Sequence, residues 1–317
     1  MVCANKSYCI IKASFNASPP PFPPTAQAML TGRLPIRSGV GSPNGVYAPH
    51  APGPSQGSNH VFTGESIGGL PLNESTFAER LRPLGYASLC IGKWHLGQRD
   101  IYLPTSRGFD EYLGIPFSQD IGLSFWATHD YKPSAPYFST PLPLLNGTTV
   151  FEQPTNLFTI ADKYAHAATS FVASNAARSK PFMLYLPFNH IHGPNSCGAR
   201  WCGQSARGPI GDATEEVDWI IGEIMSTLSA GAAAKNTLVF FTSDNGAPAR
   251  PDGNTPLRGF KGSIWEGGYR EPGIAWWPGK NNAGLWNLGA DNGFCNYENG
   301  MFGSRKGKYV RTPHFKR

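Results

Sequence analysis

Thr237-Leu238-Val239-Phe240-Phe241-Thr242-Ser243-Asp244-Asn245-Gly246 is an apolar, β-branched and aromatic run that ends in a carboxylate, a carboxamide and a glycine. Such a run reads as a buried strand with a turn at its end. Asp244 and Asn245 then project past the strand's C-terminal end, where open α/β sheets hold ligands and metals. Working outward, the same arrangement recurs twice. Tyr86 to Ile91 reads as a strand that delivers Gly92-Lys93-Trp94-His95-Leu96-Gly97, and Phe182 to Pro187 as one that delivers His190-Ile191-His192. A helical pattern precedes each strand. Asn73 to Leu84 has Asn73 or Ser75 as N-cap and Phe77, Leu81 and Leu84 on one face. An Ala-rich amphipathic stretch covers 157–178, and Val217, Ile220, Ile221, Ile224 and Leu228 follow helical spacing. Helix leading into strand, three times over, predicts a parallel sheet covered by helices on both faces.

The bulk properties agree with a globular domain. The 317 residues can bury one large core, and 40% hydrophobic with 15% charged residues is a soluble composition. A formal charge of +6 favours anionic substrates, but the 27 Lys and Arg are scattered and accompany no nucleic-acid motif. No apolar stretch is long enough to span a membrane. Cys197 and Cys202 share a Gly-rich loop and are candidates for a bridge, whereas Cys90 sits in an apolar strand and is expected to be buried. Asn-x-Ser/Thr sequons occur at Asn5, Asn16, Asn73 and Asn146, as in secreted or lysosomal proteins, although Met1 to Ser18 has no signal-peptide core.

Taken singly, the polar motifs have ordinary readings. Lys93-Trp94-His95 reads equally as a surface loop, Asp244-Asn245-Gly246 as a turn, and Ser118 with Asp120 as another turn. Lys261, in Arg258-Gly259-Phe260-Lys261-Gly262, is either an oxyanion ligand or a solvated side chain. Together they supply two lysines, two histidines and a hard-cation site, which suits a doubly charged oxyanion ester.

With these residues in view, the chain from about Ala28 to Gly279 resembles the sulfatase family, in its arylsulfatase A-like pattern, within the alkaline-phosphatase-like superfamily. Leu30-Thr31-Gly32-Arg33-Leu34-Pro35 matches the second half of the family's first signature, and Gly92-Lys93-Trp94-His95-Leu96-Gly97 matches its second signature. Gly114-Ile115-Pro116-Phe117-Ser118, His190-Ile191-His192, Ser243-Asp244-Asn245-Gly246 and Glu266-Gly267-Gly268-Tyr269-Arg270-Glu271-Pro272 follow in the family's order. The resemblance implies a three-layer α/β/α domain that hydrolyses a sulfate ester to alcohol or phenol plus sulfate, with lysosomal or secreted localisation. It further implies a calcium ion and a formylglycine made from Cys or Ser. Carried over by position, Asp244 and Asn245 are metal ligands, and Lys93, Ser118, His192 and Lys261 bind sulfate oxygens. His95 acts on the hydrated aldehyde and His192 on the leaving group. The implied partner is a sulfated small molecule or glycan.

The chain also departs from that pattern. Counted back from Thr31-Gly32, the nucleophile position is Phe22 and the following Arg position is Ala26; residues 1–27 contain no Asp or Glu. The first strand with its paired carboxylates is therefore expected to be missing, and the site impaired. Residues 14–27, rich in Ser, Pro and Phe and ending in Gln27, read as a translated intron end, which the transcript sequence checks. Residues 1–27 are read as a Pro-rich, disordered segment, 28–279 as the catalytic domain, and 280–317 as an abbreviated C-terminal segment in which Lys280 to Asn299 is assigned no element. The alternative to an enzyme is a catalytically inactive protein that binds sulfate or anionic glycans.

Overall fold

The computed structural model describes residues 8–11, 25–33, 35–38, 40, 62, 64, 66–122, 141–249, 253–278 and 285–287. Nine strands form one sheet. In chain order they are β1 (Tyr8–Ile11), β2 (Ala87–Ile91), β3 (Glu111–Gly114), β4 (Leu144–Asn146) and β5 (Thr149–Glu152). These are followed by β6 (Phe182–Tyr185), β7 (Thr237–Thr242), β8 (Gly273–Trp276) and β9 (Leu285–Asn287). Their spatial order is β5-β4-β3-β2-β6-β1-β7-β8-β9. The five central strands, β3 to β7 in that order, run parallel, and antiparallel pairs finish both edges.

Strands β2, β6 and most of β7 are buried on both faces, and their side chains alternate between two cores. Ala87, Leu89, Ile91, Phe182, Leu184 and Val239 face one core. Cys90, Met183, Tyr185 and Leu238 face the other. The first core is roofed by α4 (Ile160–Ala177) and α5 (Pro209–Ser229), whose inward stripes are Ile160, Tyr164, Ala168 and Val172, and Val217, Ile220, Ile224 and Leu228. The second is covered by α1 (Thr25–Thr31), α2 (Pro35–Ser38), α3 (Phe77–Leu81) and the aromatic group Phe77, Trp94, Phe109 and Tyr185. This is the expected three-layer α/β/α fold. No helix among the described residues is long and apolar enough to cross a membrane.

Four local readings are revised. A strand does occupy the place left empty: Tyr8–Ile11 lies between β6 and β7, with Ile10 opposite Leu184 and Val239. Four residues flanked by unpatterned sequence carry too little periodicity to be read. Helix α3 is shorter than expected and is capped by Thr76, which accepts from Glu79 N while Glu79 accepts from Thr76 N. Pro83 has no N–H to continue the helix, so Arg82–Leu84 tightens into a 3₁₀ turn and Leu84 is 63% exposed. The last is β9, which lies within the stretch given no element. The Cys197–Cys202 bridge is formed and Cys90 is buried. Phe22, the Pro-rich run before Thr25, Asn5 and Asn16 fall outside the described residues.

Candidate active site

Because the central strands are parallel, their C-terminal ends lie on one edge of the sheet and their loops share one mouth. The exit of β2 is pinned on both sides. Gly92 N donates to Leu113 O at 2.9 Å and Lys93 N to Pro187 O at 2.7 Å. Gly92 takes φ 119°, and a Cβ there would stand 2.1 Å from Pro187 O, so only glycine fits. Trp94 N and His95 N continue onto Ile115 O and Pro116 O. The Trp94 ring is buried, whereas His95 sits in the left-handed region at φ 58°, a conformation that recurs at functional positions.

Lys93 Nζ donates to Ser118 Oγ at 2.9 Å, which joins the β2 and β3 exits. Burial pulls the Lys93 ammonium below its ordinary pKa; the charges of Asp120 and Asp244 oppose this, and that of Lys261 adds to it. Burial likewise holds His95 well below the usual imidazole value, helped by the charges of Lys93, His192 and Lys261. His95 Nε2 lies 2.8 Å from Phe62 O. A neutral imidazole facing a carbonyl must carry its proton on that nitrogen, which leaves Nδ1 as a free base. His192 is also lowered, by burial first and then by Lys93, against the pull of Asp120 at 3.8 Å. Its Nδ1 meets Gly193 O at 2.8 Å, so Nε2 is the nitrogen open to a ligand. Lys93 thus lies within electrostatic reach of Asp120, Asp244 and Lys261, and both histidines lie within reach of Lys93 and Lys261.

The histidine pair divides. His190 is buried with Nε2 3.0 Å from Glu216 Oε2, a support rather than part of the mouth. Lys261 arrives on the connection from β7 to β8, and that connection is tied to the Asp244 loop. Lys261 N donates to Ala247 O at 2.8 Å and Gly246 N to Gly268 O at 3.1 Å. Asn254 bridges Ala247 N, Ala247 O and Gly259 O. Gln119 Nε2 holds His192 O and Pro194 O at 2.7 and 2.8 Å, and its own oxygen accepts from Asn189. Thr25, at the start of α1, donates to Asp244 O at 3.1 Å.

Four of these side chains escaped the sequence reading: Gln119, Glu216, Asn254 and Glu271. Glu216 left a usable signal, an acid on the apolar stripe of α5. Glu271 stands near Asp244, and its carboxyl is raised to about 7 by burial first and then by Asp244. A cleft of about 770 Å³ opens elsewhere, at the N-terminal ends of β2 and β3. It is lined by Arg82, His166, Arg178 and Lys180 among others and contains none of the mouth residues.

Calcium takes about six to eight oxygens. No group of three His, Cys, Asp or Glu among the described residues is placed to hold a metal. The chain continuing from β1 reads Lys12-Ala13-Ser14, without a carboxylate. Asp244 and Asn245 alone do not make a calcium cage, so the described residues do not fit the ion.

Comparison with known proteins identifies the family. The sequence profile of the Sulfatase family matches residues 23–297. Arylsulfatase G of Canis lupus familiaris is 34% identical over 298 residues, covering 84% of this chain and 52% of the relative. N-acetylgalactosamine-6-sulfatase of Sus scrofa is 38% identical over 282 residues, covering 86% and 51%. The chain therefore spans about half the length of these curated relatives. The crystal structure of PsFucS1 sulfatase from Pseudoalteromonas sp. superposes with a TM-score of 0.68 at 30% identity, covering 87% of this chain and 56% of that one. Ps i-CgsB in complex with k-i-k-neocarrahexaose gives 0.64 at 26%, covering 86% and 58%. By sequence and by fold, the chain belongs to the sulfatase family.

Proposed function

We propose that Lys93, His95, Ser118, His192 and Lys261 form the sulfate-ester pocket of an arylsulfatase-type hydrolase. One observation carries the reading: two lysines and two histidines gather on one sheet edge, with Lys93 donating to Ser118 there, and the charges of both lysines act on both histidines. The lysines offset the charge of the sulfate group, and Ser118 both holds Lys93 and offers its hydroxyl to an oxygen. Hydrolysis requires an oxygen nucleophile to attack sulfur while the S–O bond to the alcohol or phenol breaks. His95 Nδ1 is the base for the incoming hydroxyl, and His192 Nε2, when protonated, gives its proton to the departing oxygen.

Phe22 at the nucleophile position sets the expected rate. Loss of a covalent nucleophile lowers turnover by about a millionfold, so the chain is read as binding sulfate esters with little or no hydrolysis. A second reading, a glycan-binding protein without catalysis, is favoured by the same Phe22 and by Ala26. The complex of Ps i-CgsB with a carrahexaose supports a sulfated glycan as the ligand class. The Cys197–Cys202 bridge and the exposed sequons Asn73 and Asn146 support a lysosomal or secreted location. The test pairs calorimetric titration of inorganic sulfate with a 4-methylumbelliferyl sulfate assay. Saturable binding abolished by Lys93→Ala supports the pocket, and absence of binding removes it. Measurable turnover shows that a group other than residue 22 serves as nucleophile.

A further inference from the structure

His192 faces a difficulty that its own loop creates. Its Nδ1 lies 2.8 Å from Gly193 O, and a ring nitrogen that meets a carbonyl carries the proton. The neutral ring therefore leaves Nε2 with a bare lone pair, which repels a sulfate oxygen. Only the imidazolium, protonated on both nitrogens, donates from Nε2 to an anion or to a departing oxygen. Most of the surroundings oppose that form. Burial lowers the pKa of His192 first, and the charges of Lys93, at the β2 exit, and Lys261, on the β7–β8 connection, lower it further. His95, also at the β2 exit, is repelled by a charge on His192.

Asp120 is the exception. Its Oδ1 stands 3.8 Å from His192 Nδ1, and among the described residues no other carboxylate pairs with this histidine. That oxygen is buried and, among the described residues, has no hydrogen-bond partner. A buried carboxylate oxygen left unbonded is costly and calls for an explanation. Beside an imidazole that must become cationic to donate, it has one.

The mounting of the pair is as specific as the pair itself. Asp120 follows Ser118 and Gln119 at the β3 exit, and these two side chains reach the β2 and β6 exits. Ser118 Oγ accepts from Lys93 Nζ at 2.9 Å, and Gln119 Nε2 donates to His192 O and Pro194 O at 2.7 and 2.8 Å. Asn189 Nδ2 donates to Gln119 Oε1 at 2.7 Å, and Ile121 N donates to Ser118 O at 3.0 Å, which closes the turn. Ser118 and Gln119 are buried. The carboxylate and the backbone that carries the imidazole are thus held together before any ligand arrives, which lowers the ordering cost of the pair.

We infer that Asp120 is a positioning residue: it is the counter-ion that makes His192 an Nε2–H donor, and the Ser118-Gln119-Asp120 tripeptide sets that pair beside Lys93. This rests on the sulfate-ester reading of the pocket. In hydrolysis the proton passes from Nε2 to the departing oxygen as its bond to sulfur breaks. The ring returns to its neutral form, with Nδ1–H still on Gly193 O. Asp120 keeps its charge throughout and touches no reacting atom.

The experiment follows the histidines of the full chain by long-range proton–nitrogen NMR across pH, with the His192 signals assigned by their loss in His192→Gln. In the unmutated chain the neutral ring is expected to carry its proton on Nδ1. Asp120→Asn lowers the His192 midpoint by about one pH unit, the low end for an opposite charge within about 4–6 Å, because the two side chains are 31% and 33% exposed. Asp120→Glu, which keeps the charge, retains most of the parent midpoint. In calorimetric titrations with inorganic sulfate, the acid-side rise in affinity moves down in pH by the same amount in Asp120→Asn. A side chain that merely braced the loop would change the affinity without moving that pH. A neutral ring protonated on Nε2, a midpoint in Asp120→Asn within about 0.2 unit of the parent, or a rise that stays in place overturns the assignment. Should Asp120→Asn not fold, Asp120→Ser takes its place, and the tautomer is read on the unmutated chain in either case. A shifted midpoint in a chain that binds no sulfate overturns the pocket and leaves the ion pair standing.

Discussion

Replacing Lys93 by methionine separates a binding role from a structural one. The substitution keeps the unbranched stem and removes the ammonium that donates to Ser118 Oγ at 2.9 Å. At an effective dielectric of about 20, a unit charge about 4 Å from another interacts by about 4 kcal/mol. A hydrogen bond to a charged group contributes about 1.5–3 kcal/mol by mutation. A loss of about 2–4 kcal/mol, or roughly 30-fold to 1,000-fold in Kd for inorganic sulfate, is therefore expected. Stability should respond differently. Without ligand, Lys93 is held in a buried place beside Lys261, which disfavours its charge, while Asp120 and Asp244 favour it. Those contributions oppose each other, so the fold should change by no more than about 1 kcal/mol. Calorimetry with sulfate and a thermal melt of the same samples decide the matter. Sulfate affinity within twofold of the parent, or a large fall in melting temperature accompanying the lost affinity, would refute the reasoning.

Other expectations follow from the same contacts. Arg107→Met should destabilise the fold by about 3–5 kcal/mol in urea denaturation, because the guanidinium is 1% exposed and bonds Glu79, Leu70 O and Glu74 O; a change below about 1 kcal/mol contradicts this. Thr76→Ala should cost about 1–2 kcal/mol, since its hydroxyl caps α3 and also donates to Arg107 O. Sulfate affinity should rise as pH falls below 6.5 and stay flat above it. His95 and His192 are both held below that value, and a bound anion favours their protonated forms. The sign for stability without sulfate is opposite: it is complete above 6.5 and declines as the pH drops through the lowered folded values, because the unfolded imidazoles take up protons first. Titrations across pH, and in buffers of different ionisation enthalpy, report the proton uptake.

Much of this architecture was written in local patterns. Strands β2, β6 and β7 each announce themselves as apolar runs that end in polar residues. Parallel geometry then forces those ends, and with them Lys93, His192 and Asp244, onto one edge. What escaped depends on partners remote in sequence or on elements too short to show a period. Strand β1 has four residues and β9 three. Gln119 reaches carbonyls at His192 and Pro194 more than seventy positions away. Asn254 sits in Gly253-Asn254-Thr255, which reads only as a turn, yet it fastens the Lys261 loop to the Asp244 loop. Only the resemblance, which assigned a role to His192 alone, separated His190 from His192. Two residues apart in the chain, one is buried against Glu216 and the other opens to Asp120.

The convergence of Lys93, Ser118, His192 and Lys261 on a single tetrahedral anion is tested most directly by anomalous diffraction from crystals soaked in selenate. One selenium peak is expected, with selenate oxygens about 2.7–3.2 Å from Lys93 Nζ, Lys261 Nζ and His192 Nε2. A peak elsewhere, or one that touches Lys93 but leaves Lys261 and His192 beyond hydrogen-bond reach, contradicts the account.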